Sequence, residues 1–147
     1  MSRSKFVTGR LALAGALLLG VVALPASGAE ASTAAASVAA TNAQDAAATL
    51  AAGLQALNDL AAASAAALAA GDPAGARQAY ASFDSGWEAI EDGVRERSRD
   101  DYRSIEDAMR EVDRGLRADP VDAGFVTQWL TELQNRVNSF IATLPSS

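Results

Sequence analysis

The sequence predicts an all-α chain, an antiparallel up-down-up-down four-helix bundle placed after an N-terminal signal peptide. Three observations carry that expectation. Apolar residues recur at alternating spacings of three and four through most of the chain, the pattern of helices that each bury one stripe. Polar or capping residues interrupt the stripes at Gly71-Asp72-Pro73, at Ser98 and at Asp119-Pro120. The connections are short, and short connections make consecutive helices antiparallel neighbours.

The leader comes first. Arg3, Lys5 and Arg10 precede the apolar run Leu11–Leu24, and Pro25-Ala-Ser-Gly-Ala29 follows it. Charged, apolar and small-residue regions in that order read as a secretory signal peptide over residues 1–29, cleaved after Ala29. The apolar run falls short of the ~20 residues that span a bilayer. No cysteine follows, which excludes a lipoprotein anchor. Export to the periplasm or the extracellular space is the expectation, with no membrane insertion of the mature chain. The 118 residues that would remain of 147 suffice for one domain around one core.

From Ala29 to Ala70, 22 of 42 residues are alanine. Residues 30–40 lack a run of large apolar side chains and are expected as a mobile Ala-rich tail. The bundle is assigned to residues 41–145. Thr41 with Gln44 forms a capping box, and Leu50, Leu54, Leu57, Ala61, Ser64 and Leu68 follow at helical spacing. Asp72 caps the second helix, with Pro73 at its first position. Its stripe is Ala76, Tyr80, Phe83, Trp87, Ile90 and Val94. Arg95–Asp101 is too polar to continue that stripe, and Ser98 with Asp101 can cap a third helix carrying Tyr102, Ile105, Met109, Val112 and Leu116. Asp119-Pro120-Val-Asp122 repeats the Asp72-Pro73 device ahead of a last helix with Val126, Trp129, Leu133, Val137, Phe140 and Leu144 on one face.

The central hairpin contains an internal repeat. Trp87-Glu-Ala-Ile-Glu-Asp-Gly-Val-Arg-Glu96 is echoed by Tyr102-Arg-Ser-Ile-Glu-Asp-Ala-Met-Arg-Glu111. If the stripes are core positions, Asp84 and Glu91 fall on one edge of the first arm, and Glu106 and Asp113 on the facing edge of the second. A turn between residues 98 and 99 mirrors Asp84 onto Asp113 and Glu91 onto Glu106. The opposite edge carries Ala79, Gly86, Gly93, Ala108 and Gly115, where another helix can approach closely. One edge is expected to pack and the other to concentrate negative charge.

Composition narrows the chemistry. The whole chain has a formal charge of −6, and loss of Arg3, Lys5 and Arg10 with the leader takes it to −9. That balance disfavours nucleic acid and anionic membrane surfaces as partners. The absence of cysteine and histidine excludes disulfides, thiol catalysis, Ser-His triads and zinc sites built on Cys or His. Metal chemistry here must use oxygen donors, which suit hard cations. Nothing accompanies the carboxylates to suggest an enzyme.

The bland account of the acidic edge is a solvated surface in which Glu91–Arg95 and Glu106–Arg110 form i,i+4 pairs worth ~0.2–0.5 kcal/mol each. Asp84 and Glu88 have no arginine at that spacing. Phe83-Asp-Ser-Gly-Trp87-Glu-Ala-Ile-Glu91, Val94-Arg95 and Tyr102-Arg-Ser-Ile-Glu106-Asp-Ala-Met109 resemble the extracytoplasmic helical domain of bacterial high-affinity iron permeases. In that family a W-x-x-(I/V)-E segment and a Y-x-x-I-E-x-x-M segment lie on consecutive helices. The resemblance covers residues 80–117. It implies a role in iron uptake, with Glu91 and Glu106 on the matching glutamates, a membrane iron permease as partner and ferric or ferrous iron as the bound ion. The permease's membrane helices and Arg-Glu-Gly-Leu-Glu motif have no counterpart in this sequence. The expected role is therefore an exported binding domain, with Asp84, Glu88, Glu91, Glu106 and Asp113 as candidate ligands of a hard cation. The competing expectation is a secreted module that docks a basic or helical partner without metal.

Overall fold

The computed structural model describes residues 28–145, with side chains from residue 36 onward. Most of the leader lies outside these residues. The described chain is all-α, with five helices: α1 (Gly28–Ala69), α2 (Pro73–Glu88), α3 (Glu91–Arg97), α4 (Arg99–Arg117) and α5 (Ala123–Ile141). None of them is long and apolar enough to cross a membrane.

Local chemistry sets most of the boundaries. Gly71, at φ 74°, closes α1. Its N–H donates to the Leu68 carbonyl and that of Asp72 to the Ala67 carbonyl, a pairing that satisfies the last turn and that glycine enters without steric cost. Asp72 then accepts from the Gly75 N–H at 2.8 Å and starts α2, with Pro73 first. Ser98 ends α3 and caps α4, accepting from the Asp101 N–H at 3.2 Å.

Three boundaries differ from expectation. Thr41 does not start a helix: α1 runs through it, and its hydroxyl donates to the Ser37 carbonyl. Residues 30–40 are thus helical. Alanine is the best helix former, and extending an existing helix adds one hydrogen bond per residue without a new nucleus. The cap of α5 is Asp122, which accepts from the Phe125 N–H at 3.0 Å, and not Asp119. Val121 packs against the core just ahead of it, so the chain must reach that contact before turning into the helix. The first arm of the hairpin is also broken, at Ala89-Ile90, into α2 and α3. Ile90 leaves helical geometry (φ −125°, ψ −10°) where its side chain lies over Gly53 of α1, 3.4 Å from the place a Cβ would occupy.

The stripes meet in one core. All six stripe residues of α1 are buried, as are Ala76, Tyr80, Phe83, Trp87, Val94, Ile105, Met109, Val112, Leu116, Val126, Leu133, Val137 and Phe140. Each large one contributes about 1.5–3 kcal/mol by leaving water. On α5 Leu130 is fully buried as well, while its neighbour Trp129 is only half-buried. α1 packs on α2 and α5, α5 on α4, and α4 on α3. Polar ties join neighbours: Ser64 donates to the Ala76 carbonyl at 3.0 Å, Asn58 to Asn138 at 2.7 Å, and Arg77 to the Leu116 carbonyl at 2.7 Å. The last bond places a cation at the C-terminal turn of α4, where orphan carbonyls and the helix dipole favour it. Beyond the core, residues 36–46 of α1 are all exposed.

The small-residue edge packs as expected. A Cβ at Gly86 would lie 2.6 Å from Leu57 Cδ2, and one at Gly93 would lie 3.5 Å from Leu50. On the other arm, a Cβ at Gly115 would meet Val126 Cγ2 at 2.7 Å and Phe125 Cδ1 at 2.8 Å. Gly115→Ala is expected to destabilise by about 1–2 kcal/mol, because overpacking against a stiff β-branched side chain outweighs the helix-propensity gain. Gly86→Ala should cost less, since the flexible end of Leu57 can turn away. Urea denaturation of both variants measures the difference.

Candidate functional site: the acidic edge of the hairpin

The edge is built from α2, α3 and α4. Trp87, the penultimate residue of α2, is buried to 1% exposure and stacks on half-buried Tyr102 of α4, with ring centroids 6.0 Å apart and planes 18° from parallel. Its indole Nε1–H donates to Glu106 Oε1 at 2.6 Å. Tyr102 reaches back across the hairpin, its hydroxyl 3.5 Å from Glu91 Oε2, a long and weak hydrogen bond. The repeat thus acquires a structural meaning: the aromatic that opens each motif donates to the glutamate at the fifth position of the other.

The arginines do not make the expected helical pairs. Arg95 bonds to Asp92 and Arg110 to Asp107. Among the described residues, neither Glu91 nor Glu106 forms an ion pair, and both are half-exposed. Their partners are aromatic donors, which orient a carboxylate without neutralising it.

A second group lies further along the edge. A shallow depression of about 150 Å³ is lined by Tyr80, Asp84, Glu106, Met109 and Asp113 together with Arg110 and Arg117. Asp113 pairs with Arg117 at 2.9 Å. Tyr80 is buried and donates to the Met109 carbonyl at 2.9 Å. Burial, and then the charges of Asp84, Asp113 and Glu106, push its phenol far above the ordinary value of 10.0, against the pull of Arg117. Tyr102 is raised too, by desolvation and then by Glu106 and Glu91, with Arg95 opposing.

The structure therefore gathers Asp84, Glu106 and Asp113 around Tyr80, and Glu91 with Glu106 around Tyr102. Glu88 is exposed at the end of α2 and joins neither group. Among the described residues, no three carboxylates are set together at distances that would hold a metal ion. Trp87 and Tyr102 lie on the apolar stripes that the spacing predicts, and they also donate across the hairpin, which the stripe alone does not show. The signal was present, because an aromatic-x-x-x-Glu pattern repeated on two antiparallel arms offers each glutamate the other arm's aromatic.

Tyr80 gives the edge a pH signature. Its neutral form is favoured only in the folded chain, so its contribution to stability is whole below pH 10, the unfolded value, and is lost as pH rises toward the raised folded value. Melting temperature is expected to fall in alkali, and Tyr80→Phe should flatten that fall. The same variant should cost about 1 kcal/mol at neutral pH through its lost hydrogen bond. Thermal melts across the alkaline range check both effects.

Comparison with family models, curated proteins and solved structures returns no match.

Proposed function

We propose that this chain is an exported, iron-uptake-associated domain that binds a hard cation on the acidic edge of its central hairpin. In this reading the leader is cleaved, and α2 with α3 forms one arm of an up-down-up-down four-helix bundle. One observation supports it most: the two motifs of the iron-permease resemblance face each other, and their glutamates are oriented by aromatic donors rather than paired to arginine. A surface serving solubility alone has no need to hold carboxylates in place. Glu91 and Glu106 are the principal ligands. Asp84 and Asp113 add field and further oxygens, Asp113 at the expense of its bond to Arg117, and exposed Glu88 approaches only if its side chain swings across. Water or a carboxylate chelator of the iron completes the coordination, as oxygen donors suit hard cations. A membrane iron permease is the partner that would receive the ion.

Calorimetric titration of the chain lacking residues 1–29 with Fe³⁺-citrate, Fe²⁺, Mn²⁺ and Ca²⁺ tests the reading. Binding by iron that is lost in the double variant Glu91→Gln, Glu106→Gln is the expected result. No heat with any of the four would reject it in favour of a metal-free module docking a basic or helical partner.

A further inference from the structure

We propose that the cleft between the α1–α2 turn and the α4–α5 connection binds a free apolar α-amino acid, with its carboxylate on Arg77, its ammonium group on Asp119 and its side chain on an apolar floor. The cleft lies at the end of the helices away from Ser98 and is independent of the cation reading.

α1 and α4 end at this cleft, and α2 and α5 begin there. Its volume is about 360 Å³, within the range of roughly 300–1,000 Å³ usual for small-molecule sites. Leu68, Pro73, Pro120, Val121 and Ala123 make the lining largely apolar. Leu68 is part of the core and Val121 packs against it, while the two prolines fix their own φ. The floor therefore exists before anything binds, which spares a ligand the cost of ordering it.

Two opposite charges also line the cleft, Arg77 and Asp119. Arg77 caps α4 through its Nε, which donates to the Leu116 carbonyl at 2.7 Å. That bond fixes the guanidinium and leaves both Nη groups over. Among the described residues Arg77 forms no ion pair, although three aspartates belong to the two connections beside it. Asp72 and Asp122 are committed as caps, accepting from the Gly75 and Phe125 N–H groups. Asp119 is exposed and forms no ion pair among the described residues. A cation and an anion thus share one cleft without pairing with each other.

That arrangement selects a class of ligand. A simple anion on Arg77 would face the like charge of Asp119, and a simple cation on Asp119 would face Arg77. An α-amino acid satisfies both: its carboxylate accepts from the Nη groups, and its ammonium group donates to the Asp119 carboxylate. Its apolar side chain then leaves water against Leu68 and Val121.

The test titrates the whole chain with L-leucine, followed by calorimetry and by the amide resonances of isotope-labelled protein. Binding is expected to move the signals of Leu68, Val121 and Ala123 and to leave that of Glu106 in place. N-acetyl-L-leucine lacks the ammonium group and L-leucinamide lacks the carboxylate. Each is expected to bind about 10-fold more weakly than L-leucine, the effect of losing one charge-assisted contact. Asp119→Asn should erase the preference for L-leucine over its N-acetyl form, and Arg77→Gln the preference over L-leucinamide. If Arg77→Gln fails to fold without its bond to α4, Asp119→Asn alone decides, since Asp119 is exposed in a connection. Unmoved signals at Leu68, Val121 and Ala123 with millimolar L-leucine overturn the proposal. Equal wild-type affinity for L-leucine and either analogue overturns it too, as does a preference over N-acetyl-L-leucine that survives in Asp119→Asn.

Discussion

Trp87→Ala is expected to lower stability by about 3–5 kcal/mol, among the largest single-site losses in the chain. The indole is 1% exposed at the centre of the hairpin and stacks on Tyr102. Truncation leaves a cavity between two helices that α1 holds from behind through Leu57 on Gly86, so the walls cannot readily collapse. For a domain of this size the melting temperature should drop by roughly 10–20 °C. Trp87→Phe separates the causes: it keeps most of the packing, loses the bond to Glu106, and should cost about 1–3 kcal/mol. Urea denaturation of the two variants makes the comparison. Equal losses would mean that the bond to Glu106, rather than the ring's volume, holds the arm.

If the chain binds a hard cation as proposed, binding should raise stability by about 2.7 kcal/mol at 100 times the dissociation constant, because an ion that binds only the folded chain shifts the equilibrium by mass action. The melting temperature should rise by several degrees. The double variant Glu91→Gln, Glu106→Gln should abolish the rise and leave the metal-free protein within about 1 kcal/mol of the wild type. Glutamine retains an oxygen that can accept from Trp87 and Tyr102, and neither glutamate is ion-paired to arginine. Thermal melts with and without Fe²⁺ at constant ionic strength provide the measurement. A rise that survives the double substitution would move the site elsewhere on the chain.

Much of the fold was legible residue by residue. The period of three and four marked Leu50 to Leu68, Tyr80 to Val94, Ile105 to Leu116 and Val126 to Phe140 as buried stripes, since only one face of a helix can leave water. Asp72 and Ser98 marked their caps because their side chains sit where orphan N–H groups need acceptors. Gly86 and Gly115 marked the packing edge because a neighbouring helix needs room. The structure departs from the expectation where two local signals compete. Thr41 resembles a cap, yet it lies in an alanine run that continues a helix at little cost. Asp119-Pro120 resembles a helix start, yet Asp122 also qualifies, and the reach of Val121 to the core favours the later residue. Trp129 and Leu130 are adjacent, and the rotation of α5 decides which of them is buried.

Sequence by itself determined the helical class, the stripes and the turn at Ser98, because each follows from periodicity or from chemistry within a few residues. Tertiary structure alone decided the break at Ala89-Ile90, where a contact with Gly53 some forty residues away competes with a local helix. It also decided how the edge is wired. Local spacing offered Glu91 and Glu106 to Arg95 and Arg110; the folded hairpin instead sends those arginines to Asp92 and Asp107 and offers the glutamates the aromatic donors of the opposite arm. An exposed i,i+4 ion pair is worth a few tenths of a kcal/mol, whereas a hydrogen bond from a buried indole to a carboxylate is worth more than 1 kcal/mol. The stronger interaction exists only after two helices have met.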